Sequence, residues 1–189
     1  MTSCDVGVVI PAFNEAARID KTVRDVVTYL RGQPYTWRLV VSDDGSADET
    51  ASIVRDAMRD VPELEVVSNE HRGKAFAVRA GVLRTDARYV VFTDADLAVP
   101  IVELDRLLAK LADGADVVIG SREAKGARRF GEPPYRHLMG RVFSLLYRLL
   151  ILPGIEDAQC GFKGFRGDVG HELFSHLLLY GDKAPVVRG

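Results

Sequence analysis

Acidic residues follow three of the predicted strands, at the point where each strand ends. Glu15 comes after the first strand, Asp43 and Asp44 after the second, and Asp94 and Asp96 after the fourth. Ligands of open α/β sheets bind at the carboxyl ends of the strands, so we expect these side chains to converge on one edge. Clustered acids repel each other unless a cation lies among them, and carboxylate oxygens suit Mg²⁺ or Mn²⁺. The pattern predicts a site for a divalent metal and substrate phosphates.

The same acids also have a structural explanation, because aspartate at strand ends caps helices and forms turns. The tripeptide Asp44-Gly45-Ser46 is a good turn by itself. An isolated Asp-x-Asp pair is a weak signal, since short acidic pairs are common in loops. The three clusters together are more specific than any one of them, and the combination favours a functional site.

These acids would be positioned by alternating strands and helices, the pattern of βαβ units and a parallel sheet. Hydrophobic patterning predicts strands over residues 6–11, 38–42, 64–68, 89–93 and 116–120. Helices are predicted between them, over residues 15–30, 47–59, 73–83 and 101–111. Pro11 is expected to end the first strand, and Pro100 to open the fourth helix. The fold class is therefore α/β, with a central, mostly parallel sheet flanked by helices.

The pattern changes after Ser121. Residues 122–136 are basic and rich in glycine and proline, which predicts a loop, whereas residues 137–152 form an apolar helical pattern with spaced arginines. A strand over 159–165 and a helix over 169–179 follow. Without repeats or linkers, we predict one domain over residues 1–189, with a first half of residues 1–120 and a second half of residues 121–189.

Composition limits the possible functions. The 189 residues are 47% hydrophobic and carry a net charge of −2, which favours one folded domain and argues against a nucleic-acid binder. Cys4 and Cys160 lack metal-site or disulfide-framework spacing, as expected in a reducing cytosol. No signal peptide and no stretch of about 20 apolar residues is recognisable, so a cytoplasmic location is expected.

Four segments, in this order, resemble family 2 glycosyltransferases of the GT-A fold, the Rossmann-like nucleotide-diphospho-sugar transferases. They are Val-Val-Ile-Pro-Ala-Phe-Asn-Glu, ending at Glu15; Val-Val-Ser-Asp-Asp-Gly-Ser-Ala-Asp-Glu-Thr, ending at Thr50; Asn69 with Arg72-Gly73-Lys74; and Asp94-Ala95-Asp96. Two later segments narrow the resemblance to polyprenyl-phosphate (dolichyl-phosphate) glucosyl- and mannosyltransferases: Gly120-Ser121-Arg122 and Gln159-Cys160-Gly161-Phe162-Lys163.

The resemblance implies roles for individual residues. Residues that would hold the nucleotide sugar are Pro11, Ala12, Phe13, Glu15, Asp43, Lys74, Asp94, Ala95 and Asp96. Metal ligands would be Asp94, Asp96 and Gln159, for Mg²⁺ or Mn²⁺. Asp43 could accept the imide N–H of uracil, which cytosine lacks. Arg79 would approach the base or diphosphate, or be a solvated helix charge. UDP-glucose is favoured over GDP-mannose as the donor.

The resemblance also implies an anionic lipid acceptor, a polyprenyl phosphate. Residues 122–141 contain six basic and two acidic residues, which suits a lipid phosphate and an anionic membrane surface. Such a phosphate is mostly anionic at neutral pH, so it needs positioning more than a general base. Catalysis is accordingly assigned to Asp96, Arg122 and Arg129. The four histidines are assigned surface or packing roles, which leaves Asp157 as the one candidate base.

Alternatives remain open from sequence alone. A hydroxyl acceptor would need a catalytic base, and an inactive nucleotide-sugar-binding module would need none. A receiver domain is disfavoured, because its first strand should end in an acidic pair. Relatives continue with further segments after the motif at residues 159–163, so the second half is expected to be shortened. We expect a peripheral protein on the cytoplasmic face of the membrane, and the oligomeric state is left open.

Overall fold

One sheet forms the centre of the molecule. The computed structural model describes residues 4–120 and 160–177. Within these ranges, six strands pair in the order β3-β2-β1-β4-β6-β5. The strands are β1 Cys4–Ala12, β2 Trp37–Asp43, β3 Leu64–Ser68, β4 Ala87–Phe92, β5 Val117–Ile119 and β6 Lys163–Arg166. The first four are parallel, and β6 runs antiparallel to both of its neighbours. The predicted mostly parallel sheet is confirmed.

Helices cover both faces of this sheet. They are α1 Ile19–Arg31, α2 Thr50–Ala57, α3 Lys74–Arg84, α4 Leu104–Ala112 and α5 Gly167–His176, with a short 3-10 helix Ile101–Glu103 before α4. The buried residues of α1, α2 and α4 pack on one face, and those of α3 on the other, where Phe174 of α5 joins them. No helix within the described ranges is long and apolar enough to cross a membrane.

Helix α1 begins later than the sequence predicted. It starts at Ile19, because the residues before it are tied to the loop after β2. The Asn14 backbone has a φ of 54°, and its side-chain oxygen accepts a hydrogen bond from the Ala47 N–H at 2.9 Å. The Glu15 N–H donates to the Thr50 hydroxyl at 2.8 Å. These contacts join the first two strand ends into one loop cluster.

The prediction that Pro11 ends the first strand was wrong, because β1 continues to Ala12. Pairing of β1 with β4 ends at Val9, whereas pairing with β2 continues through Ala12 opposite Asp43. In a parallel sheet, successive residues of a central strand form their backbone hydrogen bonds alternately with the strand on one side and the strand on the other. The backbone of Pro11 therefore faces β4, but at a position beyond the last residue at which β1 and β4 pair. The missing N–H of the proline costs no hydrogen bond between strands there.

The second half returns to the sheet. Strand β6 begins at Lys163 and α5 at Gly167, close to the predicted strand and helix. Three sequence predictions lie outside the described residues: the basic loop over 122–136, the apolar helix over 137–152 and the strand start at residue 159.

Candidate functional site

An open cleft of about 350 Å³ lies at the carboxyl ends of β1, β2 and β4. Its lining residues are Pro11, Ala12, Phe13, Glu15, Asp44, His71, Gly73, Lys74, Ala77, Asp94, Ala95 and Asp96. Every residue that the resemblance assigned to the nucleotide sugar is among them except Asp43. The structure thus brings residues from three strand ends and from the N-terminus of α3 to one place.

The Asp-Ala-Asp segment forms a tight turn directly after β4. The Leu97 N–H donates to the Asp94 carbonyl at 3.0 Å, and Leu97 has a φ of 47°, which is unusual for a residue with a side chain. The Thr22 hydroxyl of α1 donates to the buried Ala95 carbonyl at 2.6 Å. Asp96 is exposed, whereas Asp94 is half-buried. Helix α1 therefore holds the turn that presents the two carboxylates.

A lysine neutralises the inner carboxylate of this turn. The Lys74 ammonium, at the first position of α3, lies 2.5 Å from Asp94 Oδ1. This is a charge–charge contact rather than an aligned hydrogen bond, since Asp94 Oδ1 has no hydrogen-bond partner within the described residues. The cleft therefore holds a paired positive and negative charge at its inner end.

The carboxylates of Asp43 and Asp44, at the end of β2, have different hydrogen-bond partners. Asp44 accepts hydrogen bonds from the backbone N–H groups of Arg72 (3.1 Å) and Gly73 (2.9 Å), which anchors the loop before α3. Asp43 accepts one from the Ser46 N–H at 3.3 Å through Oδ2. Its Oδ1 is buried and has no hydrogen-bond partner within the described part of the chain. Asp44 is thus a structural anchor on the cleft wall, and Asp43 keeps an unused acceptor.

The loop after β1 is fixed by α2. Asp48, just before α2, accepts hydrogen bonds from the Thr50 hydroxyl at 2.5 Å and from the Ala16 N–H at 3.1 Å. The Thr50 hydroxyl is the main reason why the pKa of Asp48 lies below its ordinary value. Glu15, on the cleft wall, pairs with Arg18 at 2.8 Å. The Ala16 bond to Asp48 and the bond from the Glu15 N–H to the Thr50 hydroxyl hold the backbone at Glu15 beside the cleft.

An aromatic pair forms one side of the cleft, and the sequence did not predict it. The rings of Phe13 and His71 stack with centroids 4.1 Å apart and an interplanar angle of 20°. His71 Nδ1 also lies 2.8 Å from Asp44 Oδ2. From the sequence, His71 was expected to have a surface or packing role. The available signal was its place between Asn69 and Lys74, inside a motif that was recognised.

Several predicted site residues are elsewhere or undescribed. Arg79 is half-buried and does not line the cleft; its Nε donates to the Phe174 carbonyl of α5 at 2.9 Å. Arg122, Arg129, Asp157 and Gln159 lie outside the described residues, so their predicted roles stay predictions.

Of the four carboxylates that line the cleft, Asp94 and Asp96 are the pair on the Asp-x-Asp turn that could bind a metal. Across residues 4–120 and 160–177, no group of three or more His, Cys, Asp or Glu side chains is placed to hold an ion. Mg²⁺ commonly binds one or two protein carboxylates and completes its coordination with water and substrate phosphates. Asp94 and Asp96 fit that pattern, because both line a cleft large enough to admit phosphates.

The chain is similar to known glycosyltransferases in sequence and in fold. The profile described as "Glycosyl transferase family 2" matches residues 7–174. Dolichyl-phosphate beta-glucosyltransferase ALG5C of Trichomonas vaginalis is 33% identical over 178 residues, which is 88% of this chain and 53% of that protein. Among solved structures, glucosyl-3-phosphoglycerate synthase from Mycobacterium tuberculosis with Mn²⁺, UDP-glucose and phosphoglyceric acid is 25% identical. Its TM-score is 0.64, and the match covers 87% of this chain and 57% of that one.

A second solved structure shares the fold at lower identity. Mannosyltransferase PcManGT from Pyrobaculum calidifontis, in complex with GDP-Man and Mn²⁺, is 23% identical with a TM-score of 0.59. The match covers 88% of this chain and 45% of that one. These likenesses confirm the predicted GT-A fold. The chain spans about half the length of the proteins it matches.

Proposed function

The chain belongs to glycosyl transferase family 2, and we propose that it transfers a hexose from a nucleoside diphosphate sugar to a polyprenyl or dolichyl phosphate. The observation that carries this proposal is the cleft, where Glu15, Lys74, Asp94 and Asp96 meet at the carboxyl edge of the sheet. Residues 1–120 would supply most of the donor site, and residues 121–189 the acceptor side. The relatives named as dolichyl-phosphate glucosyltransferases favour glucose and the lipid phosphate.

Asp43 would recognise the nucleobase of the nucleotide sugar. Its Oδ1 is a buried acceptor without a partner among the described residues, and a bound base that donates an N–H would satisfy it. The imide N–H of uracil is such a donor, and so is the ring N–H of guanine, whereas cytosine has none at that position. The names of the relatives then favour UDP-glucose over GDP-mannose.

The diphosphate would lie between Lys74 and the Asp-x-Asp turn. Lys74 adds its charge to the N-terminus of α3, where a helix favours anions. Asp94, Asp96 and Gln159 would hold Mg²⁺ or Mn²⁺, and Asp96 would do so from its exposed position at the cleft. When bound, such a metal neutralises charge on the phosphates of the leaving nucleotide.

The acceptor would approach from the side of the second half. Arg122 and Arg129 would orient the lipid phosphate so that one of its oxygens attacks the sugar C1 opposite the leaving group. The C1–O bond to the diphosphate breaks as the new bond forms, with inversion at C1, and the nucleoside diphosphate keeps the electron pair. The basic segment 122–141 would bring the protein to the anionic cytoplasmic surface of a membrane.

Calorimetric titration tests donor binding. UDP, UDP-glucose and GDP-mannose are titrated with and without Mn²⁺, and we expect metal-dependent binding with UDP-glucose the tightest. Asp96→Ala should abolish the metal dependence, whereas Asp113→Ala, at an exposed aspartate after α4, should not. Absence of metal-dependent binding to any of the three would refute the donor assignment.

Transfer is tested separately with radiolabelled donor and dolichyl phosphate in detergent. We expect label in the lipid fraction as a glycosyl phosphate. Transfer to dolichol or to a sugar hydroxyl instead would favour the hydroxyl-acceptor alternative, and donor binding without any transfer would favour a binding module.

A further inference from the structure

We infer that Gly161 is a positioning residue that fixes the side chain of Asp94, and this inference rests on the proposed function of the cleft. Gly161 lies in the second half, 67 positions after Asp94 in the chain. A Cβ at residue 161 would overlap the Asp94 carboxyl group, and even Oδ1, the most distant of its three atoms, would be 2.6 Å away. Only a residue without a side chain leaves the carboxyl group its present place.

The backbone around Gly161 is held and cannot retreat from Asp94 at small cost. The side chains of Cys160 and Phe162, on either side, are 0% and 2% exposed. The Phe162 carbonyl accepts a hydrogen bond from the Gly120 N–H at 2.8 Å. The Cys160 carbonyl accepts one from the Lys163 ammonium at 2.5 Å.

The backbone of Asp94 is equally fixed. The residue before it, Thr93, donates its N–H to the Val9 carbonyl at 2.9 Å, and the Asp94 carbonyl closes the turn with Leu97. With both backbones held, a side chain at residue 161 would be accommodated mainly by rotation of the Asp94 carboxyl group. That rotation would take Oδ1 away from the Lys74 ammonium, which now lies 2.5 Å from it.

The arrangement gives the second half a direct part in donor binding. A carboxylate that binds a metal needs a defined orientation, and loss of the groups that orient metal ligands commonly costs about 10- to 100-fold in metal affinity. Gly161 orients Asp94 by leaving space rather than by a hydrogen bond. The donor site would therefore be complete only when residues 160–163 are seated beside β4.

The test compares Gly161→Ala with Gly164→Ala in the full chain. Gly164 is a matched control in the same segment, because a Cβ there would meet the Leu107 side chain of α4 and not the cleft. Affinity for Mn²⁺ in the presence of UDP should fall about tenfold or more in Gly161→Ala. In Gly164→Ala it should stay within about twofold of the unchanged chain, even if the midpoint of thermal unfolding falls.

A double-mutant cycle provides a readout that does not depend on donor binding. Thermal midpoints are measured for the unchanged chain, Gly161→Ala, Asp94→Ala and the double variant. We expect Gly161→Ala to lower the midpoint by about 2–4 °C in the presence of Asp94 and by clearly less in its absence. An equal shift in both backgrounds would overturn the inference.

The two measurements separate this inference from the proposed function. If the unchanged chain binds no Mn²⁺ with UDP, the proposed function fails and the thermal cycle alone decides whether Gly161 positions Asp94. If the unchanged chain binds both and Gly161→Ala binds them equally well, the positioning role is refuted whatever the thermal cycle shows.

Discussion

Asp43 and Asp44 are neighbours in the sequence and are 3% and 2% exposed, yet their carboxylates have different surroundings. Asp44 accepts two backbone N–H groups from the loop before α3, and Asp43 has one oxygen without a partner within the described residues. A buried acceptor without a partner costs free energy in the unliganded protein, and a ligand that donates to it recovers that cost. We therefore expect Asp43 to contribute to ligand binding and Asp44 to contribute to stability.

This division predicts opposite effects of two matched substitutions. Asp43→Asn should weaken UDP binding by about tenfold or more, because a hydrogen bond to a charged acceptor contributes about 1.5–3 kcal/mol. Its thermal midpoint should be unchanged or higher, since a buried charge is removed. Asp44→Asn should instead lower the free energy of unfolding by about 1–3 kcal/mol. The two backbone N–H groups bind different oxygens of Asp44, and an asparagine side chain has an oxygen at only one of these two positions.

Calorimetric titration with UDP and thermal unfolding of both variants check the pair of predictions. The assignment would be reversed if Asp44→Asn kept its stability and lost UDP binding.

At this scale, strand-end acids and motif order predicted residues that the structure brings to one cleft, and the roles of those residues stay predictions. The resemblance assigned Asp43 but not Asp44 to the nucleotide sugar. What the sequence did not predict is that Asp44 anchors the loop at Arg72 and Gly73, because that loop is distant in sequence. The sequence also missed the stack of Phe13 on His71, because a ring contact between two loops leaves no periodic pattern in either.

At the scale of elements, α1 fixes the Asp-x-Asp turn through one buried hydrogen bond. The Thr22 hydroxyl donates to the Ala95 carbonyl at 2.6 Å, and Thr22 is 5% exposed. A turn that contains Leu97 at a positive φ stores backbone strain, which must be offset by contacts around it. The helix therefore contributes to the geometry of the cleft, although it supplies none of the lining residues itself.

Thr22→Val should loosen this turn, because it removes the donor and leaves the Ala95 carbonyl unsatisfied. We expect a loss of about 1–3 kcal/mol in the free energy of unfolding and weaker metal-dependent UDP binding. Thr28→Val, on the exposed face of the same helix, is the control and should change neither quantity. Chemical denaturation and calorimetry measure the two effects. Equal stability losses in both variants would show a general helix effect rather than loss of the turn.

The elements themselves were predicted from periodicity, but their pairing was not. The sequence identified a strand near residues 159–165, and nothing in its local pattern specified that β6 would insert between β4 and β5. That placement depends on contacts such as Phe165 beside Val90, which join distant parts of the chain. The early end predicted at Pro11 failed for a related reason, since the tolerance of a proline depends on which neighbour its backbone faces.

At the scale of the whole molecule, the two predicted halves share one sheet. Strand β5 belongs to the first half, and its partner among the described strands is β6 of the second half. Phe165 of β6 is packed in the same core cluster as Val78 and Val82 of α3. Separation of the halves would leave β5 without this partner and expose that cluster. The first half should therefore not be an independent folding unit.

This arrangement predicts that both halves unfold together, and the chain contains one probe for each. Trp37 is the single tryptophan and lies in β2, whereas Cys160 is a buried cysteine in the second half. In a Cys4→Ser background, Trp37 fluorescence and Cys160 labelling should give the same urea midpoint, because two-state unfolding makes transitions followed by different probes coincide. Labelling of Cys160 at a clearly lower urea concentration would show that the second half detaches first. In that case the Gly161–Asp94 contact would be lost before the first half unfolds. UDP binding should then decrease at the urea concentration of the Cys160 labelling transition rather than at that of the Trp37 fluorescence transition.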